Sequence, residues 1–155
     1  MRLILSHLLL VSLLAVGSCK SKSDPQPTIG DADVLMQANS YWEWVKSASL
    51  GGLLTPASVG FSRELIFKND GFVHIFHNRQ AAIQPIYQLS TSVLSQCGQQ
   101  IAVPLVRYAA EPQIPNNDLR VYSIRLSPTD TTLSITGELA CVDGGSYETH
   151  RWHRH

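Results

Sequence analysis

The sequence predicts an all-β domain, an eight-stranded up-and-down antiparallel barrel behind a short N-terminal helical turn. Three observations carry the prediction. From residue 40 onward, eight strand-like runs follow one another with no long helical period among them. Tight-turn signals such as Asn69-Asp70-Gly71, Ser127-Pro128-Thr129-Asp130 and Asp143-Gly144-Gly145 separate many of the runs, which favours hairpin-connected neighbours. The first run carries Trp42 and Trp44, two residues apart and therefore on one strand face, a large apolar block for a small core. A two-sheet β-sandwich satisfies the same strand count and is the alternative.

Met1 to Cys19 places one arginine before an apolar stretch of roughly a dozen residues, then small residues and a cysteine. This is a secretory signal, too short to span a membrane. Val16-Gly17-Ser18-Cys19 resembles the lipobox of bacterial lipoproteins, with valine where leucine is more usual. The resemblance implies cleavage before Cys19 and acylation of that cysteine. Residues 1–18 are then the signal peptide, and 19–38 hold the lipidated cysteine, a flexible tether and a short helical turn. Residues 39–155 form the barrel domain. The tether, 20–30, is polar with two prolines and no periodicity. Asp31 to Asn39 offers an N-cap aspartate and a small apolar face from Val34, Leu35 and Ala38.

The runs are, in order, about 40–47, 61–68, 72–77, 82–90, 101–108, 119–126, 131–136 and 146–154. In the second, Phe61, Leu65 and Phe67 share a face with Arg63; Asn69-Asp70-Gly71 joins it to the third as a hairpin. Asn78-Arg79-Gln80 turns the chain into the fourth, where Pro85 marks an edge or a bulge. The seventh alternates Leu133 and Ile135 with Thr132 and Ser134. Residues 48–60, rich in glycine and small side chains, read as a mobile flap at the open end.

Twelve basic residues balance twelve acidic ones, and charged residues are only 15% of the chain. No basic face argues for nucleic acid, and charge names no protein partner. With Cys19 lipidated, Cys97 and Cys141 remain in an oxidising compartment, where a pair is expected. Their disulfide would close a loop of about 45 residues, worth roughly 4 kcal/mol in the chain-entropy model; two separate buried thiols are the other reading. His74 and His77 lie on opposite strand faces, and His150, His153 and His155 crowd a terminus where fraying is the default. No metal, cofactor or catalytic motif is predicted, so the chain reads as a non-enzyme. Asp70, Asp130 and Asp143 are explained by turn chemistry.

Four places resemble the lipocalin-like lipoproteins of Bacteroidetes. They are Trp42-Glu43-Trp44-Val45 with Gly51-Gly52 and Thr55-Pro56, and Leu65-Ile66-Phe67-Lys68 with Asp70-Gly71-Phe72. The others are Leu126-Ser127 through Ile135, and Cys141-Val142-Asp143-Gly144 leading to Tyr147, Arg151 and Trp152. The chain departs from the wider superfamily in lacking the Gly-x-Trp glycine, since Ser40 stands two residues before Trp42. The resemblance implies a barrel, an envelope location (the outer membrane, on its periplasmic or its external side) and an arginine of the final strand, Arg151 or Arg154, packed across the first-strand tryptophans. It implies no defined substrate. The aromatic set either packs the barrel shut or lines a cavity for a small hydrophobic or amphipathic ligand. The candidate ligand-binding residues are Trp42, Trp44, Arg63, Phe67 and Tyr122. A packed barrel would instead make the protein a scaffold or interaction protein of the envelope.

Overall fold

The computed structural model describes residues 31–96, 99–109, 119–137 and 146–155. The signal sequence and Cys19, Cys97 and Cys141 all lie outside the described residues, and so do the predicted lipidation and disulfide.

The chain is all-β, as expected, but its sheet has ten strands rather than eight. In order they are β1 (Ser40–Ser49), β2 (Gly52–Leu54), β3 (Arg63–Phe67), β4 (Val73–His77), β5 (Gln80–Ile83), β6 (Gln88–Gln96), β7 (Gln99–Arg107), β8 (Leu119–Arg125), β9 (Thr132–Gly137) and β10 (Tyr147–Arg154). Helix α1 (Asp31–Leu35) precedes β1 at the expected place, and α2 (Pro56–Val59) lies between β2 and β3.

The lateral order is β5-β4-β3-β1-β10-β9-β8-β7-β6, with β2 on β1. All strands therefore belong to one hydrogen-bonded sheet, unlike the two separate sheets of the sandwich alternative. Almost every neighbour is a sequence neighbour; the exceptions are β3 beside β1, with β2 between them in sequence, and the long ladder joining β1 to β10, from Ser40↔Arg154 to Ala48↔Tyr147. The sheet is not closed, because β5 and β6 end it. Their break has a local cause. The predicted fourth run is divided: Gln80–Ile83 pairs with β4, and the chain stays beside β4 through the Phe72↔Ile86 bridge and the Tyr87 N–H bond to the Gly71 carbonyl. From Gln88 it pairs with β7 instead. Pro85 stands at this handover, where a missing N–H costs no ladder bond.

The sheet curls on itself. Phe67 on β3 meets Tyr108, just past β7, ring to ring at 5.8 Å, although four strands separate β3 from β7 along the sheet. Alternation sets the inner face: Trp42 and Trp44, Leu65 and Phe67, Val73 and Ile75, and Leu133 and Ile135 are all buried. Leu35 of α1 joins the same core, and the Trp42 ring N–H donates to its carbonyl at 3.1 Å.

The turn chemistry is as the residues dictate. Gly71 takes a positive φ of 86° and Asp70 accepts the Phe72 N–H at 3.0 Å, closing the β3–β4 hairpin. Asn78 and Arg79 both have positive φ, the geometry of a two-residue hairpin turn. Residues 48–60 are more structured than a loose flap. They contain β2 and α2, and α2 opens with a reciprocal Thr55–Ser58 capping box and Pro56 in its first turn. The C-terminus is likewise tied down: the His155 N–H donates to the Asn39 carbonyl, and His153 stacks on Tyr41 at 5.1 Å.

Candidate functional site

All five predicted site residues lie on the inner face, but the fold distributes them between two environments. Trp42, Phe67 and Tyr122 belong to the contiguous apolar core with Leu65, Val73, Ile75, Leu133 and Ile135. Phe67 meets Tyr87 and Tyr108 edge-on, the arrangement the ring quadrupoles favour. Trp44 and Arg63 stand apart from that core and touch each other, with the guanidinium 4.9 Å from the tryptophan ring centroid.

Around that pair is a polar cluster. A bulge after Trp44 resets the register of β1, so that Ser47 accepts the Trp44 ring N–H at 2.8 Å. Arg63 Nη2 lies 2.9 Å from Glu148 Oε2, and Glu148 Oε2 is 3.7 Å from His150 Nε2. His150 stands opposite both Trp44 on β1 and Leu133 on β9. Phe61 stacks over Trp44 from one side and against His77 on the other. Arg120, buried on β8, lies over the Tyr108 ring at 4.6 Å and reaches the same electrostatic neighbourhood.

Arg63 therefore does not snorkel. Its side chain is 11% exposed and is held between a ring and a carboxylate. Contrary to what the resemblance implies, neither Arg151 nor Arg154 of the final strand packs over the first-strand tryptophans; the guanidinium over Trp44 is that of Arg63 on β3. Arg151 points outward to Asp130 at 3.0 Å, half exposed, and Arg154 is exposed.

Burial governs the protonation states. His150 is fully buried, and desolvation drives its pKa down to about 3; Glu148 pulls the other way, but Arg63 and Arg120 add to the lowering. It is a neutral imidazole at any physiological pH. Desolvation pushes the Glu148 carboxyl upward, yet the Arg63 and Arg120 guanidiniums outweigh it and hold the group below its ordinary value as an anion. Tyr108, buried, is pushed up to about 12 and stays a phenol.

The cluster has spare hydrogen-bonding capacity. Arg63 Nε and both ring nitrogens of His150 are buried with no hydrogen-bond partner among the described residues. A neutral imidazole offers one donor and one acceptor, and the guanidinium Nε–H is a further donor. Buried groups of this kind are the exception in folded proteins and call for a partner. Chemically, the arrangement can hold a polar head by hydrogen bonds while Trp44 and Phe61 cover its apolar part.

Glu148, His150, Arg120 and Tyr108 were not among the sequence candidates. A signal was available for two of them: Glu148, His150 and Trp152 alternate on the last strand, and a tryptophan in that series marks the face as inward. Arg120 stands two residues before Tyr122 and shares its face, and the pairing of β8 and β10 with β9 brings that face to Glu148. Among the described residues, no group of three or more His, Cys, Asp or Glu side chains is placed to hold a metal ion. Two surface clefts lie outside the interior. One of about 360 Å³ is lined by Asp130, Arg151 and His153, and one of about 300 Å³ by Met36, Asn39, Lys68 and His155. Comparison with protein-family models, with curated proteins and with solved structures finds no match to this chain.

Proposed function

We propose that this is a lipid-anchored envelope protein, held to the outer membrane through Cys19, whose curled sheet takes up one small amphipathic molecule. In this reading the sheet is a variant of a lipocalin-like up-and-down barrel. The sequential strand order, the β1–β10 ladder and the Phe67–Tyr108 contact across the interior support it. The strand that passes from β4 to β7 takes the place of the missing lateral ladder.

The observation that carries the ligand reading is the set of unpartnered buried polar atoms on Arg63 and His150 beside Trp44. A molecule with a polar head and a short apolar body satisfies both halves of that environment. Arg63 and His150 take the head, and Trp44 and Phe61 cover its apolar neck. Trp42, Phe67 and Tyr122 form the packed floor beneath it rather than binding contacts.

Native mass spectrometry of the mature domain purified without detergent tests the reading. A stoichiometric co-purifying small molecule is expected, or one-to-one uptake of an added medium-chain alcohol or carboxylic acid. Arg63→Met should weaken that uptake about tenfold, and Arg151→Ala should leave it unchanged. Repeated absence of any bound species would sink the proposal.

One observation favours a second reading, an envelope scaffold with a filled barrel. Leu35 of α1 is buried in the apolar core and its carbonyl accepts the Trp42 ring N–H, as in an interior filled by its own side chains. Cross-linking in intact cells that captures a protein through the loops, together with empty mass spectra, would select it.

A further inference from the structure

The two edges of the sheet are built differently. β5 carries several of the devices that keep an edge strand from pairing. It is four residues long, a bulge interrupts its ladder with β4 between Ile75 and Phe76, Arg79 precedes it and Pro85 follows it. β6 has none of them. It is nine residues long, its ladder with β7 runs unbroken from Gln88↔Arg107 to Gln96↔Gln99, and it contains neither proline nor charge. Between Arg79 and Arg107 the chain has no Asp, Glu, Lys, Arg or His at all. Among the described residues no strand pairs with the outer edge of β6. Val93 in its middle is 60% exposed.

We infer that the outer edge of β6, unpaired among the described residues, pairs antiparallel with β6 of a second copy of this chain, joining two sheets across a two-fold axis. Self-pairing is what this composition suits. In an isologous antiparallel contact the residue at the axis meets its own copy and its neighbours meet residues of the same segment, so a lysine or glutamate near the middle of the strand would oppose a like charge. An uncharged Ser/Thr/Val/Leu strand brings no such penalty, and it offers nothing to select a charged strand from a different protein. Thr91 and Val93 supply β-branched side chains suited to cross-strand packing. The protected β5 edge sets the size of the assembly. With only one pairing edge per chain, association stops at two copies instead of growing into a fibre.

Sedimentation equilibrium of the purified full chain in detergent tests the inference. The wild type is expected to be a dimer. Ser92→Lys places two like charges across the axis and should weaken association at least tenfold, whereas Ala81→Lys on β5 should leave it unchanged. Mixing Ser92→Lys with Ser92→Glu should restore a heterodimer, a result that a merely misfolded hairpin would not give. A monomeric wild type would overturn the proposal. So would a Ser92→Lys chain that dimerises as the wild type does, equal weakening by Ala81→Lys, or no rescue on mixing.

Discussion

The two tryptophans of β1 stand two residues apart on one face, yet they live in different solvents. Trp42 sits among Leu65, Val73, Ile75, Leu133 and Ile135, and its ring N–H finds the Leu35 carbonyl. Trp44 sits against Arg63 and opposite His150, with Glu148 next to both of those groups. The first environment spends its stability on close packing. The second holds a buried ion pair beside buried hydrogen-bonding atoms that lack partners among the described residues, an arrangement that contributes less to stability than close packing does. Two rings that look equivalent along a strand thus mark an apolar and a polar end of one interior.

The largest test of that contrast is deletion of each ring. Trp42→Ala empties a fully enclosed space and is expected to cost about 3–5 kcal/mol in denaturant unfolding. Trp44→Ala should cost at least about 1 kcal/mol less, because water entering the gap can hydrate Arg63 and His150. Equal losses would mean that the two ends do not differ. Next in size is Arg63→Met, which leaves the Glu148 carboxylate without its cation and should cost about 3 kcal/mol at neutral pH. The sign with pH can be worked out. Without Arg63, burial dominates and the Glu148 pKa rises above its unfolded value, so the deficit shrinks as pH falls through the carboxylate range. Adding Glu148→Leu to Arg63→Met should recover most of the loss, since a matched apolar pair replaces a lone buried charge.

That contrast was only half legible in the sequence. Strand periodicity placed Trp42, Trp44, Arg63 and Phe67 on inward faces, and the hairpin signals at Asn69-Asp70-Gly71 and Asn78-Arg79 were read where the turns occur. The count of eight missed β2, hidden in a glycine-rich stretch with weak strand propensity, and joined β5 to β6, because Pro85 interrupts the ladder without interrupting the extended backbone. The polar cluster was harder to see. Its members come from β3, β8 and β10, and only the lateral strand order, with β9 between β8 and β10 and β1 between β10 and β3, brings Arg120 and Arg63 near Glu148 and His150. Histidine on a final strand also invites a metal or fraying interpretation. The inward series Glu148, His150, Trp152 argues against both only once the neighbouring strands are known.

A smaller effect separates the ends by acid. His150 has a folded pKa of about 3 against an ordinary 6.5, because burial disfavours the imidazolium. Its folded pKa is depressed, so its contribution is fully present above 6.5 and is lost as pH falls from there toward 3. Between pH 6.5 and 5 the expected loss is about 2 kcal/mol, at 1.36 kcal/mol per unit. Urea unfolding at a series of pH values should show that slope, and His150→Gln should flatten it while Trp42 variants keep it. A slope unchanged in His150→Gln would show that the imidazole is not buried as described.

The smallest expected effect fixes the baseline for all the others. Arg151 follows His150 in sequence and points the opposite way, forming an ion pair with Asp130 in which both side chains are about half exposed. Such a pair is held in water, screened by salt and offset by the ordering of two side chains, so Arg151→Ala should cost less than about 1 kcal/mol. The same replacement should change neither ligand uptake nor the acid slope. If Arg151→Ala were as damaging as Arg63→Met, the difference between the two arginines would not be one of burial. A double-mutant cycle on Asp130–Arg151 beside one on Glu148–Arg63, run at low and high salt, measures that difference directly: the outer coupling should fade with salt and the inner one should persist.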